Sequence, residues 1–402
     1  MTLASSLLTS QGQELLNLLG GQEIGPDQAL KLAEELRGRF PADMVAAALT
    51  QQSLRVAGRA KFSRADSMFF TRAGLEQASS ELTARHSAQR FSGLGLVADL
   101  CCGIGGNLAA LAGAARHVVA VDADLTTLMF ARRNAQVYGV GPRITPVCAD
   151  VRELALADWA ATRGGPVQGA FIDPARRAGG RRLRTGESMP PLDWCLSLTE
   201  QVPSVCIKAA PGLARELVPA GWETEFVAVG RDLKEALLWS PAMSSTPRRA
   251  TILPAGVSLT AEPGPQVPVA EPGEYLLDPS PAVTRAGLVE DLARRAGAWK
   301  IDAMIAFLAA DRPVSTPFAR TMRVIESMPW HERQAGRRLR ELGIGSADIR
   351  RRGLAGDVEQ IRRRLGLQGE GSATIVLTRK DGRPWGLICT PVPPSSRDDT
   401  VS

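Results

Sequence analysis

The sequence predicts an α/β fold: a Rossmann-like sheet with a helical N-terminal domain and a small α+β C-terminal domain. Three observations predict it. Between residues 94 and 252, short apolar runs that end in acidic residues alternate with helical patterns. Residues 1–90 carry apolar side chains at helical spacing. Near the C-terminus, two Arg-rich helical patterns are followed by a β-hairpin whose turn is Asp381-Gly382.

A glycine turn lies between the first two predicted strands. Residues 97–122 read VADLCCGIGGNLAALAGAARHVVAVD: an apolar run ending in Asp99, a turn with three glycines, an Ala/Leu helix, and a second apolar run ending in Asp122. Glycine lets the backbone bend sharply and lie against a ligand. The helix N-terminus faces that ligand, and a carboxylate after the second strand holds ribose hydroxyls. The stretch predicts a nucleotide-binding unit, with a nicotinamide dinucleotide as one possible ligand.

The later predicted strands also end in charged residues. Asp150 follows the third strand, Asp173-Pro174 follows the fourth, and the fifth ends in Lys208. The last two strands are predicted to be an antiparallel pair. The strands after Asp122 are predicted, in order, at Ile144–Cys148, Ala170–Ile172, Ser204–Lys208, Phe226–Val229 and Ala236–Trp239.

These acids at the strand ends resemble those of the class I S-adenosylmethionine (SAM) methyltransferases. Residues 99–150 are similar to the RNA guanine-N2 methyltransferases of the trimethylguanosine-synthase group, with CCGIGGN, VDAD and ARRNAQVYGV in order. The order of segments from Phe62 to Pro391 resembles that of bacterial methyltransferases with a THUMP-like C-terminal domain. The resemblance implies a Rossmann-like class I methyltransferase sheet, SAM as the cofactor and, because THUMP domains bind RNA, an RNA partner.

The resemblance also implies a set of cofactor-binding residues. Asp99 orients the amino group of the cofactor, directly or through water, and Asp122 accepts hydrogen bonds from the ribose hydroxyls. Asp150 accepts from the adenine amine while the Val151 N–H donates; an N-cap role for Asp150 is the alternative, and the two roles are compatible. The full set is Asp99, Cys101, Gly103, Gly105, Gly106, Asn107, Asp122, Ala123, Asp150 and Val151.

The segment before the glycine turn is a further candidate for the cofactor pocket. By analogy with the resembled family, Phe70, Thr71 and Gln77 line it. Asn134, in the helix predicted after Asp122, is expected to face solvent or cap the fold, and contact with the edge of the cofactor is the alternative. The alternative, favoured for Phe69 and Phe70, is that these residues belong to the core. For the adjacent Cys101 and Cys102, small size in a crowded turn is favoured over a redox or nucleophilic role.

Asp173-Pro174 occupies the place of the Asn/Asp-Pro-Pro-aromatic motif of amino-methylating enzymes. In that motif the side chain and a backbone carbonyl accept hydrogen bonds from the target amine, and the aromatic ring stacks on the base. Here Ala175 replaces the second proline and Arg176 the aromatic residue. A guanidinium plane also stacks on bases. Asp173, Pro174 and Arg176 are therefore the predicted catalytic residues, and the alternative is a turn that caps the strand and has lost or changed its activity.

The loop after Asp173 is strongly basic. Arg176, Arg177, Arg181, Arg182 and Arg184 precede the first acid, Glu187. A loop at the carboxyl ends of parallel strands lies at the mouth of the site, where arginines engage phosphates. Arg177, Arg181, Arg182 and Lys208 are the predicted substrate-binding residues. A loop without a partner is the alternative for the arginines, and a lysine with a structural role is the alternative for Lys208.

The amino-acid composition indicates which binding partners to expect. The net charge is +6, and residues 321–402 hold 15 Lys+Arg against 10 Asp+Glu, which favours RNA over solvation alone. The six cysteines show no CxxC pair and no metal-like spacing with the three histidines, so no metal is expected and a reducing cytoplasm fits. The sequence has no run of 18 apolar residues and no recognisable secretion signal. Neither a membrane partner nor export is therefore expected. The oligomeric state stays open.

The length of 402 residues predicts two or three domains. Residues 254–273 are rich in glycine and proline and are interpreted as a linker. The predicted domains are a helical N-terminal domain (1–90), a SAM-dependent methyltransferase domain (91–253), the linker (254–273), a small ferredoxin-like or connecting subdomain (274–320), a THUMP-like RNA-binding domain (321–393) and a disordered tail (394–402).

Three functions remain at this point. The first is methylation of a base amino group in structured RNA, either rRNA or tRNA. The second is a SAM-dependent methyltransferase of a protein or small molecule, favoured by the missing aromatic residue after Asp173-Pro174. The third is a non-catalytic RNA-binding protein that keeps a methyltransferase fold.

Overall fold

The computed structural model of the 402-residue chain describes residues 3–156, 165–175, 177–178, 181–182 and 188–392. For residues 177–178 and 181–182 it describes the backbone alone. The chain folds into two compact units. The first comprises the residues up to Glu225 together with Lys234–Pro247, and the second comprises Phe226–Leu233 and the residues from Arg248 onward.

The N-terminal segment is helical, as predicted. The Thr9 hydroxyl caps the second helix by accepting from the Gly12 N–H, and that helix ends at Gly20 in the left-handed conformation. Leu15, Leu16 and Leu19 of this helix are buried because their spacing places them on one face. The four helices are α1 (Leu3–Ser6), α2 (Ser10–Leu19), α3 (Pro26–Leu36) and α4 (Ala42–Gly58).

The segment before the first strand carries two short helices, α5 (Arg72–Gln77) and α6 (Glu81–Ala88). Phe69 and Phe70 precede them and are 1% and 2% exposed. The Phe69 ring centroid lies 5.4 Å from that of Phe130, and the Phe70 centroid lies 5.7 Å from that of Phe62. The core interpretation of both residues is therefore confirmed.

Seven longer strands build the main sheet of the first unit. Apolar residues fill both faces of its central strand, because helices cover a parallel sheet on both sides. Its elements are β1 (Leu96–Leu100), α7 (Leu108–Ala114), β2 (His117–Asp122), α8 (Leu125–Val137), β3 (Ile144–Cys148), β4 (Val167–Ile172), the two-residue hairpin strands β5 (Arg177–Ala178) and β6 (Arg181–Arg182), α9 (Leu192–Ser197), β7 (Ser204–Ala209), β8 (Glu223–Val229) and β9 (Asp232–Trp239).

The strand order is β8-β9-β7-β4-β1-β2-β3, and this unit holds Glu223–Glu225 of β8 and Lys234–Trp239 of β9. The pairs β1/β2, β2/β3, β1/β4 and β4/β7 are parallel, and β9 runs antiparallel to β7. The predicted Rossmann-like sheet with an antiparallel last strand is confirmed. Because β9 is reversed, it begins at the sheet edge where the parallel strands end. Residues after β1, β2, β3, β4 and β7 therefore lie along the same sheet edge as Lys234 and Glu235, the first residues of β9 in this unit.

The second unit begins with the end of β8, Phe226–Val229, which neighbours β10 (Arg248–Leu253) in the sheet; β10 pairs with β11 (Val257–Thr260). A seven-stranded sheet follows, with the order β13-β14-β12-β15-β18-β17-β16. Its elements are β12 (Tyr275–Pro279), α10 (Pro281–Ala286), α11 (Val289–Ala296), β13 (Trp299–Lys300), β14 (Leu308–Ala310), β15 (Ala319–Pro329), α12 (Glu332–Glu341), β16 (Ile344–Arg351), α13 (Val358–Leu365), β17 (Gly371–Lys380) and β18 (Arg383–Pro391).

The C-terminal hairpin has the predicted turn. Lys380 pairs with Arg383, and Asp381 and Gly382 adopt φ values of +50° and +73°. Two consecutive residues in the left-handed region match the right-handed twist of the flanking strands, and Asp-Gly tolerates that conformation. The predicted α+β character of the C-terminal region is confirmed by these strands and by α12 and α13.

The predicted domain boundaries near the C-terminus do not all coincide with the ends of strands. Residues 254–273, interpreted as a linker, contain strand β11. The boundary at 320/321 falls inside β15, and strands on both sides of it share one sheet. Residues 394–402 lie outside the described part of the chain. Within the described residues, no helix is long and apolar enough to cross a membrane.

Candidate functional site

The glycine turn after β1 is held by backbone conformation and close packing. Gly103 and Gly105 have φ values of +54° and +84°, and Cys101 adopts +59°, which side chains rarely accept. A Cβ at Gly106 would lie 3.1 Å from the Ala78 Cβ, whereas one at Gly103 would meet no atom within 4 Å. A side chain at Gly106 would therefore crowd its neighbours, whereas the space beside Gly103 is open.

Asp99 is a buried carboxylate with an unused oxygen. It is 1% exposed, and its Oδ2 has no hydrogen-bond partner among the described residues. Burial raises the pKa of Asp99 well above its usual value, and the charges of Asp173 and Asp122 raise it further, while Lys208 opposes them. A buried acceptor without a donor is costly, so this oxygen fits a ligand that brings an ammonium or amine group.

Asp122, at the end of β2, fixes the same turn. Its Oδ2 accepts the Gly103 N–H at 2.8 Å, and its Oδ1 accepts the Asp124 N–H at 3.0 Å. Burial raises its pKa, and these two backbone donors partly offset that effect. Each carboxylate oxygen keeps a second lone-pair direction, so Asp122 can still accept from ribose hydroxyls. Together with Asp99, the residues present fit SAM.

Asp150 caps the turn after β3. It accepts the Arg152 N–H and binds the Arg152 side chain, with Nη2 2.6 Å from Oδ2. This pairing lowers the pKa of Asp150 to about 2, so the carboxylate is ionised. The N-cap interpretation is confirmed. The adjacent Val151 is buried, and Asn107 and Ala123 stand at the starts of α7 and α8; contact of all four with the cofactor stays a prediction.

Asp173 is held by a buried lysine. The Lys208 Nζ lies 2.6 Å from the Asp173 Oδ2, donates to the Ser79 Oγ at 2.8 Å and lies 3.9 Å from the Glu235 Oε2. Lys208 is 5% exposed, whereas the Asp173 side chain is 24% exposed. One side of Asp173 therefore faces a fixed cation, and the other side remains open to a substrate. Lys208 lies behind Asp173, and its contact with substrate stays a prediction.

Two members of this cluster, Ser79 and Glu235, were not predicted from the sequence. Glu235 is 3% exposed; burial raises its pKa, Lys208 opposes that shift and Asp173 adds to it. Its signal was available, since an acid at the start of an antiparallel last strand lies at the edge where the parallel strands end. Ser79 had none, because the bonds from Lys61 Nζ to the Leu75, Glu76 and Ala78 carbonyls that fix the preceding turn are not visible in a sequence.

Asn134 is buried, so the expectation that it faces solvent is wrong, and its contact with the edge of the cofactor stays a prediction. It is 1% exposed, its Oδ1 accepts the Phe69 N–H at 2.7 Å, and its Nδ2 donates to the Phe69 and Ile104 carbonyls, each at 2.9 Å. These bonds tie the glycine turn to the preceding segment. Thr71 caps α5 by accepting the Gly74 N–H. The expected contacts of Phe70, Thr71 and Gln77 with the cofactor remain predictions.

The residues after Asp173 are partly described. The Ala175 N–H donates to the Met189 carbonyl at 2.8 Å, and the Met189 N–H donates back to the Ala175 carbonyl at 2.9 Å. This exchange anchors the start of the basic loop. Arg176 and Arg184 lie outside the described residues, as do the side chains of Arg177, Arg181 and Arg182. The roles expected for these arginines stay predictions.

The thiols of the turn are neutral. Burial raises the pKa of Cys101 and that of Cys102, and the nearby carboxylates raise both further. A thiol must ionise to act as a nucleophile. The geometry therefore favours the interpretation of Cys101 and Cys102 as small residues that fit a crowded turn.

Three family models match parts of the chain. Residues 94–174 match the RNA cap guanine-N2 methyltransferase family, residues 319–391 match a THUMP domain-like family, and residues 2–58 match a domain of unknown function. Two curated relatives, both named uncharacterised S-adenosylmethionine-dependent methyltransferases, come from Mycobacterium tuberculosis strains CDC 1551 / Oshkosh and ATCC 25618 / H37Rv. Each is 35% identical over 316 residues, which cover 77% of this chain and 84% of the relative.

A solved structure has a similar fold. The crystal structure of a putative methyltransferase from Porphyromonas gingivalis W83 superposes with a TM-score of 0.72 and 20% sequence identity. The match covers 92% of this chain and 100% of the other. At this identity the likeness concerns the fold.

Proposed function

Because this chain belongs to the family of SAM-dependent methyltransferases that includes the Mycobacterium tuberculosis relatives, we propose that it methylates a base amino group in structured RNA, either rRNA or tRNA. Two family matches support the choice of RNA. One, the RNA cap guanine-N2 methyltransferase family, ends on Asp173-Pro174, and the other is THUMP domain-like. The reducing cytoplasm is the compartment proposed with it.

The observation that carries the proposal is the orientation of Asp173. Its Oδ2 is bound by the buried Lys208 at 2.6 Å, and a quarter of its side chain stays exposed. The oxygens of a carboxylate paired with a lysine accept hydrogen bonds. The lysine therefore presents a fixed acceptor at the end of β4, which is the group that an incoming amine requires.

Asp173 and Pro174 hold the target amine in this mechanism. The Asp173 carboxylate accepts one N–H, and the Pro174 carbonyl accepts the other, because the Ala175 carbonyl is already bonded to the Met189 N–H. With both hydrogens engaged, the nitrogen lone pair is directed toward the methyl group. Bound SAM would supply that methyl on its sulfonium: in an in-line displacement the N–C bond would form as the C–S bond breaks, S-adenosylhomocysteine would leave, and the amine would release one proton to water. The chain contributes alignment and proximity.

The cofactor residues divide between the two halves of SAM. The unpartnered Oδ2 of Asp99 accepts from the amino group of the methionine half. Asp122 accepts from the ribose, and Asp150 with the Val151 N–H contacts the adenine. The open space beside Gly103 lies next to both the turn and Asp122. Cys101, Gly105, Gly106, Asn107 and Ala123 shape the surrounding turn and helix starts.

The basic loop is proposed to hold the RNA. The guanidinium of Arg176 stacks on the target base in place of an aromatic ring, and Arg177, Arg181 and Arg182 bind phosphates near it. Arginine suits both tasks, because its planar fork stacks on bases and forms paired hydrogen bonds to phosphate oxygens.

Transfer of a tritiated methyl group from SAM tests the proposal. The acceptor is total RNA from cells that lack this protein, so that the target site is unmodified. We expect label in one RNA species and a methylated exocyclic amine on nucleoside analysis. Asp173→Ala should remove the label and leave SAM affinity by calorimetry unchanged. Asp43→Ala, which removes an exposed carboxylate from α4, is the matched control and should keep full activity.

Two results would contradict the proposal. Full activity of Asp173→Ala would exclude the mechanism. Confirmed SAM binding without label in any RNA would exclude the RNA acceptor. The second function, a protein or small-molecule acceptor, would then take its place, since the absence of an aromatic residue after Asp173-Pro174 favours it.

A further inference from the structure

Four arginines of the second unit converge on two aspartates. We propose that this group, the arginine cluster, is a phosphate-binding site for the backbone of the RNA partner, separate from the basic loop. The inference rests on the proposed function and adds a contact site to it. The cluster consists of Arg231 in the β8–β9 turn, Arg320 in β15, and Arg350 and Arg352 at the end of β16, around Asp278 and Asp348.

Asp278 is the buried centre of the cluster. It is 3% exposed and is bound on both oxygens: the Arg231 Nη2 lies 2.6 Å from Oδ2, and the Arg352 Nη2 lies 2.8 Å from Oδ1. Arg352 also donates to the Pro279 carbonyl and to the Thr284 hydroxyl. Two of the four cations thus have a structural partner.

Arg320 and Arg350 share a single oxygen. The Arg350 Nε lies 2.9 Å from the Asp348 Oδ2, and the Arg320 Nη1 lies 3.5 Å from the same atom. Within the described part of the chain, Asp348 is the only side-chain acceptor that these two guanidiniums bond. A guanidinium carries five N–H donors. Most donors of Arg320 and Arg350 therefore point away from protein acceptors.

The fold places the four arginines close enough for their positive charges to repel one another. Asp278 and Arg320 are cross-strand partners in β12 and β15, yet β16 lies three places from β15 in the sheet. The sheet must curl for Asp348 and Arg352 to reach them. Burial lowers the pKa of Arg231; Asp278 raises it, and the charges of Arg350, Arg320 and Arg352 lower it again. The four cations thus lie within electrostatic range of one another.

The cluster has the properties of a phosphate site. Four guanidiniums against the two carboxylates that they contact leave two excess positive charges, and the four side chains remain between 24% and 39% exposed. If the arginines served only to fasten the curled sheet, two cations for two aspartates would suffice. Planar N–H forks held by the buried Asp278 and the exposed Asp348 match phosphate oxygens, and phosphate supplies the missing negative charge.

The test measures binding of fluorescein-labelled bulk tRNA to the full chain over a series of salt concentrations. Arg320→Gln with Arg350→Gln is the test variant, because neither residue binds the buried Asp278. We expect weaker binding at 0.1 M salt and a slope of log K against log salt that is shallower by about 1–2, since each phosphate contact contributes about 0.9. Arg37→Gln with Arg39→Gln removes the same charge from exposed N-terminal residues and should leave the slope unchanged.

The salt dependence of tRNA binding either supports or overturns the arginine cluster as a phosphate site. A shallower slope in the test variant alone supports the arginine cluster, even if no RNA is methylated. Equal slopes in wild type, test and control overturn it while leaving methyl transfer untouched. Absence of tRNA binding by the wild type also overturns it; a rise in Tm with inorganic pyrophosphate, lost in the test variant, would then assign a free phosphate. If the double variant does not fold, Arg350→Gln alone is measured in the same way.

Discussion

At the scale of single residues, the buried carboxylate of Asp99 lowers the stability of the fold but offers an acceptor to a ligand. Its carboxyl is buried and its Oδ2 has no partner among the described residues, which raises its pKa above the ordinary 3.8. The folded state therefore holds this proton more tightly than the unfolded state. The resulting stabilisation is complete at acidic pH and is lost as the pH rises through the raised pKa. Removing the charge should reverse that loss.

We therefore predict that Asp99→Asn is more stable than wild type at pH 8, by about 1–3 kcal/mol of unfolding free energy, and by less at pH 4. SAM affinity should fall about 10- to 100-fold, because a charge-assisted hydrogen bond to the cofactor is lost. Urea unfolding at the two pH values and calorimetry measure both. Asp43→Asn is the exposed control. A less stable variant at pH 8 would show that Asp99 has a partner in the free protein.

Lys208 gives the second prediction at this scale. Lys208→Met leaves Asp173 and Glu235 as neighbouring carboxylates without their cation. Because Lys208 opposes the raised pKa of Glu235, its loss should raise that pKa further, so the acid limb of the pH–rate profile should move to higher pH, and kcat should fall. Breaking a buried ion pair also destabilises the fold by about 3–5 kcal/mol.

The measurement is the pH profile of methyl transfer to the identified RNA. Lys208→Arg, which keeps the positive charge, is the control and should retain the wild-type acid limb. SAM affinity should change little in either variant. A Lys208→Met profile that keeps the wild-type acid limb would show that the lysine does not act on Asp173.

At the scale of elements, Asn134 joins three parts of the first unit. Its amide connects α8 to the Phe69 backbone and to the Ile104 carbonyl in the glycine turn. We predict that Asn134→Leu lowers the unfolding free energy by about 3 kcal/mol, because three buried backbone groups lose their partner. SAM affinity should also fall, since the turn loses its support.

Thermal unfolding and calorimetry of Asn134→Leu measure both effects. Arg132→Leu, on the exposed side of the same helix, is the suitable control. Equal stability of the two variants would contradict the role given to Asn134.

The elements themselves were predictable where local chemistry defines them. The glycine turn, the acids after the parallel strands and the Asp381-Gly382 hairpin follow from the sequence, because backbone conformation and alternating burial act over a few residues. Asn134 was not predictable, since its partner Phe69 lies 65 positions away. Glu235 was recoverable from topology, once β9 is taken as antiparallel. The role of Lys208 could be assigned only from the structure. Its burial distinguishes a lysine that holds Asp173 from a lysine that contacts substrate at the surface.

At the scale of the whole molecule, the pairing of strands distant in sequence was the least predictable feature. The linker interpretation of residues 254–273 rested on composition, yet strand β11 lies within it. The sheet of the second unit joins β12 to strands that begin more than forty residues later. Such pairing depends on contacts distant in sequence, which glycine and proline content does not reveal. The same distance conceals the arginine cluster, whose members range from Arg231 to Arg352.

The two proposed phosphate-binding regions lead to a last prediction. Arg181→Glu with Arg182→Glu should weaken binding of bulk tRNA and make its salt dependence shallower, because two phosphate contacts are lost. If the basic loop and the arginine cluster bind different phosphates, a variant that combines these changes with Arg320→Gln and Arg350→Gln should lower the slope by the sum of the two separate reductions. Titrations at several salt concentrations measure all three variants. An unchanged slope for the loop variant would exclude the basic loop as an RNA contact, whereas a combined reduction no larger than either alone would mean that both regions bind the same phosphates.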